Sequence, residues 1–147
     1  RRYREEDRQI AREAMEQLGV GHLSERYIAE LSGGERQKVY LAMLLAQQTP
    51  VILLDEPTTY LDIANKFELM QMAKALANQG KTVLMVLHDL ELAMEYADRM
   101  AVMEAGKIRC EGTPEEVFQS GILQQVFRIR MTRVQTPEGE RYLFLPE

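Results

Sequence analysis

Tryptophan is absent from these 147 residues, proline occurs five times and cysteine once. The lone Cys110 has no partner within the chain, which excludes an internal disulfide framework and fits a reducing compartment. Long apolar runs are also missing. Stretches such as Val51 to Leu54 and Val83 to Leu87 stop far short of the ~20 residues a membrane-spanning helix needs. Positive charge is in deficit, with 18 Lys+Arg against 23 Asp+Glu and a net charge of −5. That balance argues against a broad electrostatic grip on nucleic acid, while leaving a local site for one nucleotide open. The start is charged and carries no apolar stretch, so it does not read as a signal peptide. It opens on Arg1 rather than methionine, and the expectation is a piece of something longer. What is present is ordinary for a globular domain: 46% hydrophobic and 28% charged residues. At this length, ~68–70% of the unfolded surface can be buried.

The pattern along the chain predicts alternating helices and strands. Ile10, Ala11, Ala14, Met15 and Leu18 form a helical stripe that ends at Gly19. His22 lies in the connecting turn and reads as a solvated loop residue. Ser32-Gly33-Gly34-Glu35 has the form of a capping box opening a helix to about Gln48, apolar nearly all round after Val39 and therefore expected to be buried on most sides. Val51 to Leu54 reads as a parallel strand with both faces covered. Asp62 caps a helix with a stripe of Ile63, Phe67, Met70, Ala73, Leu76 and Ala77. A second buried strand follows over Thr82 to Leu87, then a helix from Asp89 through Tyr96. Arg99 to Glu104 and Lys107 to Glu111 predict a hairpin, and Thr113-Pro114-Glu115-Glu116 a strong helix start. Arg128 to Val134 and Arg141 to Leu145, around Pro137-Glu138-Gly139, predict a second hairpin. The alternation from residue 51 onward indicates an α/β sheet with helices on its faces.

Three places carry chemistry. In open α/β sheets the ligand crevice lies at the carboxyl ends of the strands. The run Val51 to Leu54 stops there at Asp55-Glu56-Pro57. An acid at a strand tip can hold Mg²⁺ through water, because that cation keeps several waters and takes only one or two carboxylates. Successive side chains alternate, so Glu56 is free to orient or deprotonate an attacking water. A polar strand end followed by a proline turn explains the dipeptide equally well when it is taken alone. The second place is His88, after the other strand, which can donate a hydrogen bond to a terminal phosphate. The third is Ser32-Gly33-Gly34-Glu35. Two glycines leave amide N–H groups bare at a helix end carrying about +0.5 elementary charge, a natural seat for phosphate oxygens. Each pattern is common by itself; their order and spacing are not.

Together these motifs resemble the second half of the nucleotide-binding domain of ABC-type ATPases. Leu31-Ser32-Gly33-Gly34-Glu35 resembles the family signature, with Glu35 where many members have glutamine. Val51 to Glu56 resembles the Walker B strand, Tyr60-Leu61-Asp62 the D-loop, and His88 the switch histidine. The resemblance implies an α/β fold, the back half of a P-loop (RecA-like) ABC core with a remnant of the helical subdomain. It implies ATP and Mg²⁺ as cofactors. Asp55 would hold Mg²⁺ through water, Glu56 would be the general base, and His88 would contact the γ-phosphate. Ser32, Gly33 and Gly34 would bind the γ-phosphate of ATP held mainly by a second ATPase subunit in a head-to-tail homodimer, and Asp62 would lie at that interface.

No Gly-x-x-x-x-Gly-Lys-Ser/Thr loop occurs in the 147 residues, and no adenine-stacking aromatic or Q-loop can be assigned. The expectation is therefore that residues 1–48 are what remains of the helical subdomain, with residues 49–147 the C-terminal half of the ATPase core plus a hairpin. Such a piece should not hydrolyse ATP alone. Glu56-Pro57-Thr58-Thr59-Tyr60-Leu61-Asp62-Ile63 looks like the ATPases of iron–siderophore, haem and cobalamin importers. The implied setting is the cytoplasmic face of the cell membrane, docked on transmembrane permease subunits, with no nucleic acid partner. Two other readings stand beside it: a non-catalytic interaction module, and half of an ABC-type DNA-repair ATPase.

Overall fold

The computed structural model describes residues 3–137 and 139–147, so Arg1, Arg2 and the Glu138 of the predicted tail turn lie outside the described residues. Contacts group the chain into two units, residues 1–87 and 88–147.

The first unit opens with α1 (Glu5–Gln17), whose first turn carries Glu5, Glu6 and Asp7 where the helix dipole favours acids. Asp7 accepts a 2.8 Å hydrogen bond from the Arg4 amide. Ala14 and Leu18 of the predicted stripe are buried and Met15 is half-buried, whereas Ala11 is exposed. Two single 3₁₀ turns (Gly21–Leu23 and Ile28–Glu30) lead to α2 (Gly33–Ala46), and His22, in the first of them, is exposed, as expected of a solvated residue. Next come β1 (Val51–Asp55), α3 (Ile63–Asn78) and β2 (Thr82–Val86). The two strands pair in parallel, Val51 opposite Thr82 through Asp55 opposite Val86, which makes a βαβ unit. Its core joins α1, α2, β1 and α3 through Leu18, Val20, Leu41, Leu45, Ile52 and Leu69.

Three burial expectations fail in this unit, all for one reason: apolar pattern marks what can be covered, not what is. The β1–β2 sheet is packed on one face only. Ile52 is buried, while Leu53 and Leu84 on the opposite face are 66% and 61% exposed, with Val51 and Val86 beside them. Helix α2 buries Leu41, Ala42 and Leu45 but exposes Tyr40 and Met43. On α3 the buried stripe is Leu69, Met70, Ala73 and Leu76, and the predicted stripe members Ile63 and Phe67 are exposed.

The second unit begins at His88. Asp89 caps α4 (Leu90–Tyr96) by accepting from the Leu92 amide at 3.3 Å. A hairpin of β3 (Met100–Glu104) and β4 (Lys107–Gly112) follows, its register shifting after Val102. Then come α5 (Pro114–Ser120), α6 (Ile122–Phe127) and a longer hairpin, β5 (Ile129–Thr136) with β6 (Gly139–Pro146). Val117 and Leu123 are fully enclosed and centre a second core with Met94, Val102 and Ile122. Arg133 on β5 reaches both Glu115 carboxylate oxygens (2.6 and 2.5 Å) and stacks over Phe118, 5.0 Å from the ring centre. Tyr142 donates to Glu115 at 3.0 Å and so ties β6 to α5. Sequence reasoning did not find this cluster, because it joins residues up to 27 positions apart.

Candidate nucleotide site

The tip of α2 is built from the inside out. Leu31, only 5% exposed, anchors the chain in the first core, and its carbonyl accepts from Arg36 Nη2 at 3.1 Å. Ser32 then leaves the helix in extended backbone as N-cap. Its amide donates to Glu35 Oε2 at 2.9 Å, and the Glu35 amide donates to Ser32 Oγ at 3.3 Å, so both halves of the predicted capping box form. Those bonds from Ser32 hold the Glu35 carboxyl below its ordinary value of 4.5, with Arg26 and His22 adding smaller electrostatic help. Inside the box lie Gly33, which is exposed, and Gly34, half-buried. A Cβ added at Gly33 would meet nothing within 4 Å. The result is a helix end whose first residue is bare of neighbours on its side-chain side, and the first amides of a helix, which have no partner within it, are chemically an anion seat.

At the tip of β1, Asp55 closes the ladder opposite Val86 and is exposed. The Glu56 amide still donates to the Val86 carbonyl at 3.0 Å, but its backbone turns into the left-handed region with φ 45°. Glu56 therefore leaves the strand direction at the point where the carboxylates begin. Pro57 and Thr58 are buried behind it, and the Thr59 amide closes the turn on the Glu56 carbonyl at 3.1 Å. Thr59 Oγ1 also donates to Glu56 Oε2 at 3.3 Å, which steadies the carboxylate. Tyr60, again left-handed with φ 66°, is 99% exposed. No glycine marks these two positions, and nothing in the sequence foretold the backbone there.

Asp62 is the N-cap of α3, as predicted. Its Oδ1 accepts from the Asn65 amide and its Oδ2 from Asn65 Nδ2, both at 2.8 Å. Asn65 lies against Gly34, where an added Cβ would come within 2.8 Å of Asn65 Cγ. The seam between α2 and α3 is completed by an ion pair from Lys38 Nζ to Glu68 Oε1 at 2.6 Å. Asn65 was missed in the sequence. The Asp62-x-x-Asn65 spacing could have signalled the cap, but not the contact with a residue 31 positions earlier. His88 is exposed at a bend two residues beyond β2 and belongs to the second unit. Among the described residues no group of three or more His, Cys, Asp and Glu side chains is gathered for a metal. One exposed carboxylate nonetheless suits Mg²⁺, which draws its remaining ligands from water and phosphate.

Comparison with known proteins gives this geometry its relatives. The ABC transporter family profile matches residues 2–59. The iron(3+)-hydroxamate import ATP-binding protein FhuC of Bacillus subtilis is 46% identical over 95% of the chain. The chain is thus similar, over nearly its whole length, to ATP-binding proteins of ABC transporters. The alignment with FhuC covers 52% of that protein. The ferric enterobactin transport ATP-binding protein FepC of Escherichia coli is 36% identical over 99% of the chain and 54% of its own length. Among solved structures, a chain assigned to a metal-chelate type ABC transporter in an inward-facing conformation superposes with TM-score 0.89 at 28% identity, covering 99% of this chain and 59% of that one. An ATP-binding cassette of an ABC transporter in its ADP conformation gives TM-score 0.79 over 86% of this chain and 50% of that one, also at 28% identity. The fold is accordingly that of a partial P-loop ABC core, α/β as expected. The chain spans about half the length of the curated relatives it matches. Among the described residues no helix is long and apolar enough to cross a membrane.

Proposed function

We propose that this chain is part of the ATP-binding and ATP-hydrolysing subunit of an ABC import system for iron chelates. The observation that carries the reading is the tip of β1. There a parallel strand delivers adjacent carboxylates at its carboxyl end, and Glu56 is swung off the strand by its left-handed backbone and steadied by Thr59. Asp55 suits a Mg²⁺ ion bound through water. That ion, when bound, supplies charge neutralisation on the phosphates. Glu56 would accept the proton of the hydrolytic water, and His88 would donate to the terminal phosphate. Ser32, Gly33 and Gly34, framed by Glu35, would cradle the terminal phosphate of an ATP held mainly by a second copy arranged head to tail, with Asp62 at that interface. The phosphate-loop lysine this chemistry needs is not among these 147 residues.

In this reading residues 1–48 belong to the helical subdomain and residues 49–147 to the ATPase core. The names of FhuC and FepC support an iron-chelate cargo and, with it, docking on permease subunits at the cytoplasmic face of the membrane. The cargo itself would be chosen by those partners. The test is Glu56→Gln in the full-length protein that contains this chain. Turnover of ATP is expected to fall ~10²–10⁴-fold, the effect of removing a general base. Near-normal turnover in that variant contradicts the role given to Glu56.

A further inference from the structure

The two glycines of the α2 tip have different neighbours, although they are adjacent in sequence. Gly33 faces open space, so a methyl group there would meet no protein atom. Gly34 faces Asn65, with Oδ1 the atom nearest an added Cβ, then Cγ at 2.8 Å and Nδ2 at 3.1 Å. Swinging that amide aside would break its bond to Asp62. Both Asp62 carboxylate oxygens are engaged by Asn65, one through its backbone N–H and one through Nδ2, each at 2.8 Å. Leu41, Leu61, Leu69 and Met72 line a small pocket beside it, and the Lys38–Glu68 ion pair clips the seam.

We infer that Asn65 is a positioning residue that holds the α2 tip against the cap of α3. Gly34 is glycine to make room for Asn65, whereas Gly33 is glycine to leave room for the ligand. The inference rests on the reading of the α2 tip as a phosphate cradle. Its consequence is that Asp62 and the cradle are mechanically joined within one chain, through one side-chain amide. A displacement of Asp62 would then shift the Gly34 amide directly.

The test is a set of variants in the full-length protein: Gly34→Ala, Asn65→Ala, Gly34→Ala/Asn65→Ala, Gly34→Ala/Asn65→Asp, Gly33→Ala and Gly33→Ala/Asn65→Ala. ATP turnover and thermal unfolding are read for each. Gly34→Ala is expected to cut kcat at least about tenfold while moving KM for ATP less than about twofold, because the cradle acts on the terminal phosphate in the closed state. Asn65→Ala alone is expected to lower kcat a few-fold, because the tip loses its support; added to Gly34→Ala it removes the clash and brings turnover back to the level of Asn65→Ala alone, the coupling expected between contacting positions. Asn65→Asp has the same shape but loses the Nδ2 bond and is repelled by Asp62, so in the double variant the side chain moves off Gly34 and part of the loss is restored. Gly33→Ala gains nothing from Asn65→Ala. Three results overturn the inference: Gly34→Ala equally damaging with and without Asn65, a loss confined to KM, or rescue of Gly33→Ala by Asn65→Ala. A Glu56→Gln control that keeps its turnover defeats the ATPase reading instead. Even then, the same variants read as unfolding midpoints still decide whether Gly34 is shaped by Asn65.

Discussion

Two helices of this chain start with the same hydrogen-bonded frame. At α2 the Ser32 amide donates to Glu35 at 2.9 Å and the Glu35 amide returns to Ser32 Oγ at 3.3 Å. At α5 the Thr113 amide donates to Glu116 at 2.8 Å and the Glu116 amide returns to Thr113 Oγ1 at 3.3 Å. What differs is the pair of residues inside the frame. Gly33-Gly34 leave two bare N–H groups and no charge. Pro114-Glu115 remove one N–H and add a carboxylate, which Arg133 and Tyr142 then occupy. A capping box is therefore a way of starting a helix, and its interior decides whether the helix end is open to an anion.

The largest expected effect comes from giving α2 the interior of α5. Gly33→Pro places proline at the first helical position, after an extended Ser32 and with no protein atom near an added Cβ. Helix stability should hold or rise, since proline stabilises the folded state by about 0.4–1 kcal/mol at a compatible site. ATP turnover of the full-length protein should nevertheless fall about 10²-fold or more, as for loss of one preorganised donor. If stability and turnover fall together, the tip is only a cap. Next in size are the caps themselves. Ser32→Ala and Thr113→Ala should each cost about 1 kcal/mol in unfolding measurements. Only Ser32→Ala should also lower turnover.

The smallest effect is set by acid. Ser32 bonds hold Glu35 below its ordinary value, Thr113 bonds do the same for Glu116, and Glu115 is lowered by Arg133, then Gln119 and Tyr142. A carboxyl lowered in the folded state contributes stability that is complete above its ordinary value of 4.5 and lost as pH falls through the lowered one. Unfolding stability should therefore be level near neutral pH with respect to these groups and decline below about 4.5. Glu35→Gln and Glu116→Gln should each flatten part of that decline. An undiminished slope in both variants would separate the frames from the acid response.

The helix starts were legible because each is settled within three residues. Ser32, Asp62, Asp89 and Thr113 all cap where the sequence places them. The parallel pairing of β1 with β2 and both hairpins were legible from the change in period and the turn residues. Coverage was not. Tyr40, Met43, Ile63, Phe67 and the outer face of β1 look like core in the sequence, and lie exposed because nothing in the described residues covers them. At the site, Asp55, Glu56 and the α2 tip could be named in advance from their residue types. Thr59 and Asn65 could not, since their roles arise from a left-handed turn and from a contact between helices distant in sequence.

The most direct measurement is a structure of the full-length Glu56→Gln protein trapped with Mg²⁺ and ATP. The account predicts Ser32 Oγ and a glycine N–H of the α2 tip within ~3 Å of a terminal phosphate oxygen, with the substituted side chain at position 56 beside the attacking water. A terminal phosphate bound away from the α2 tip, with Gly33 and Gly34 facing only solvent, would contradict it.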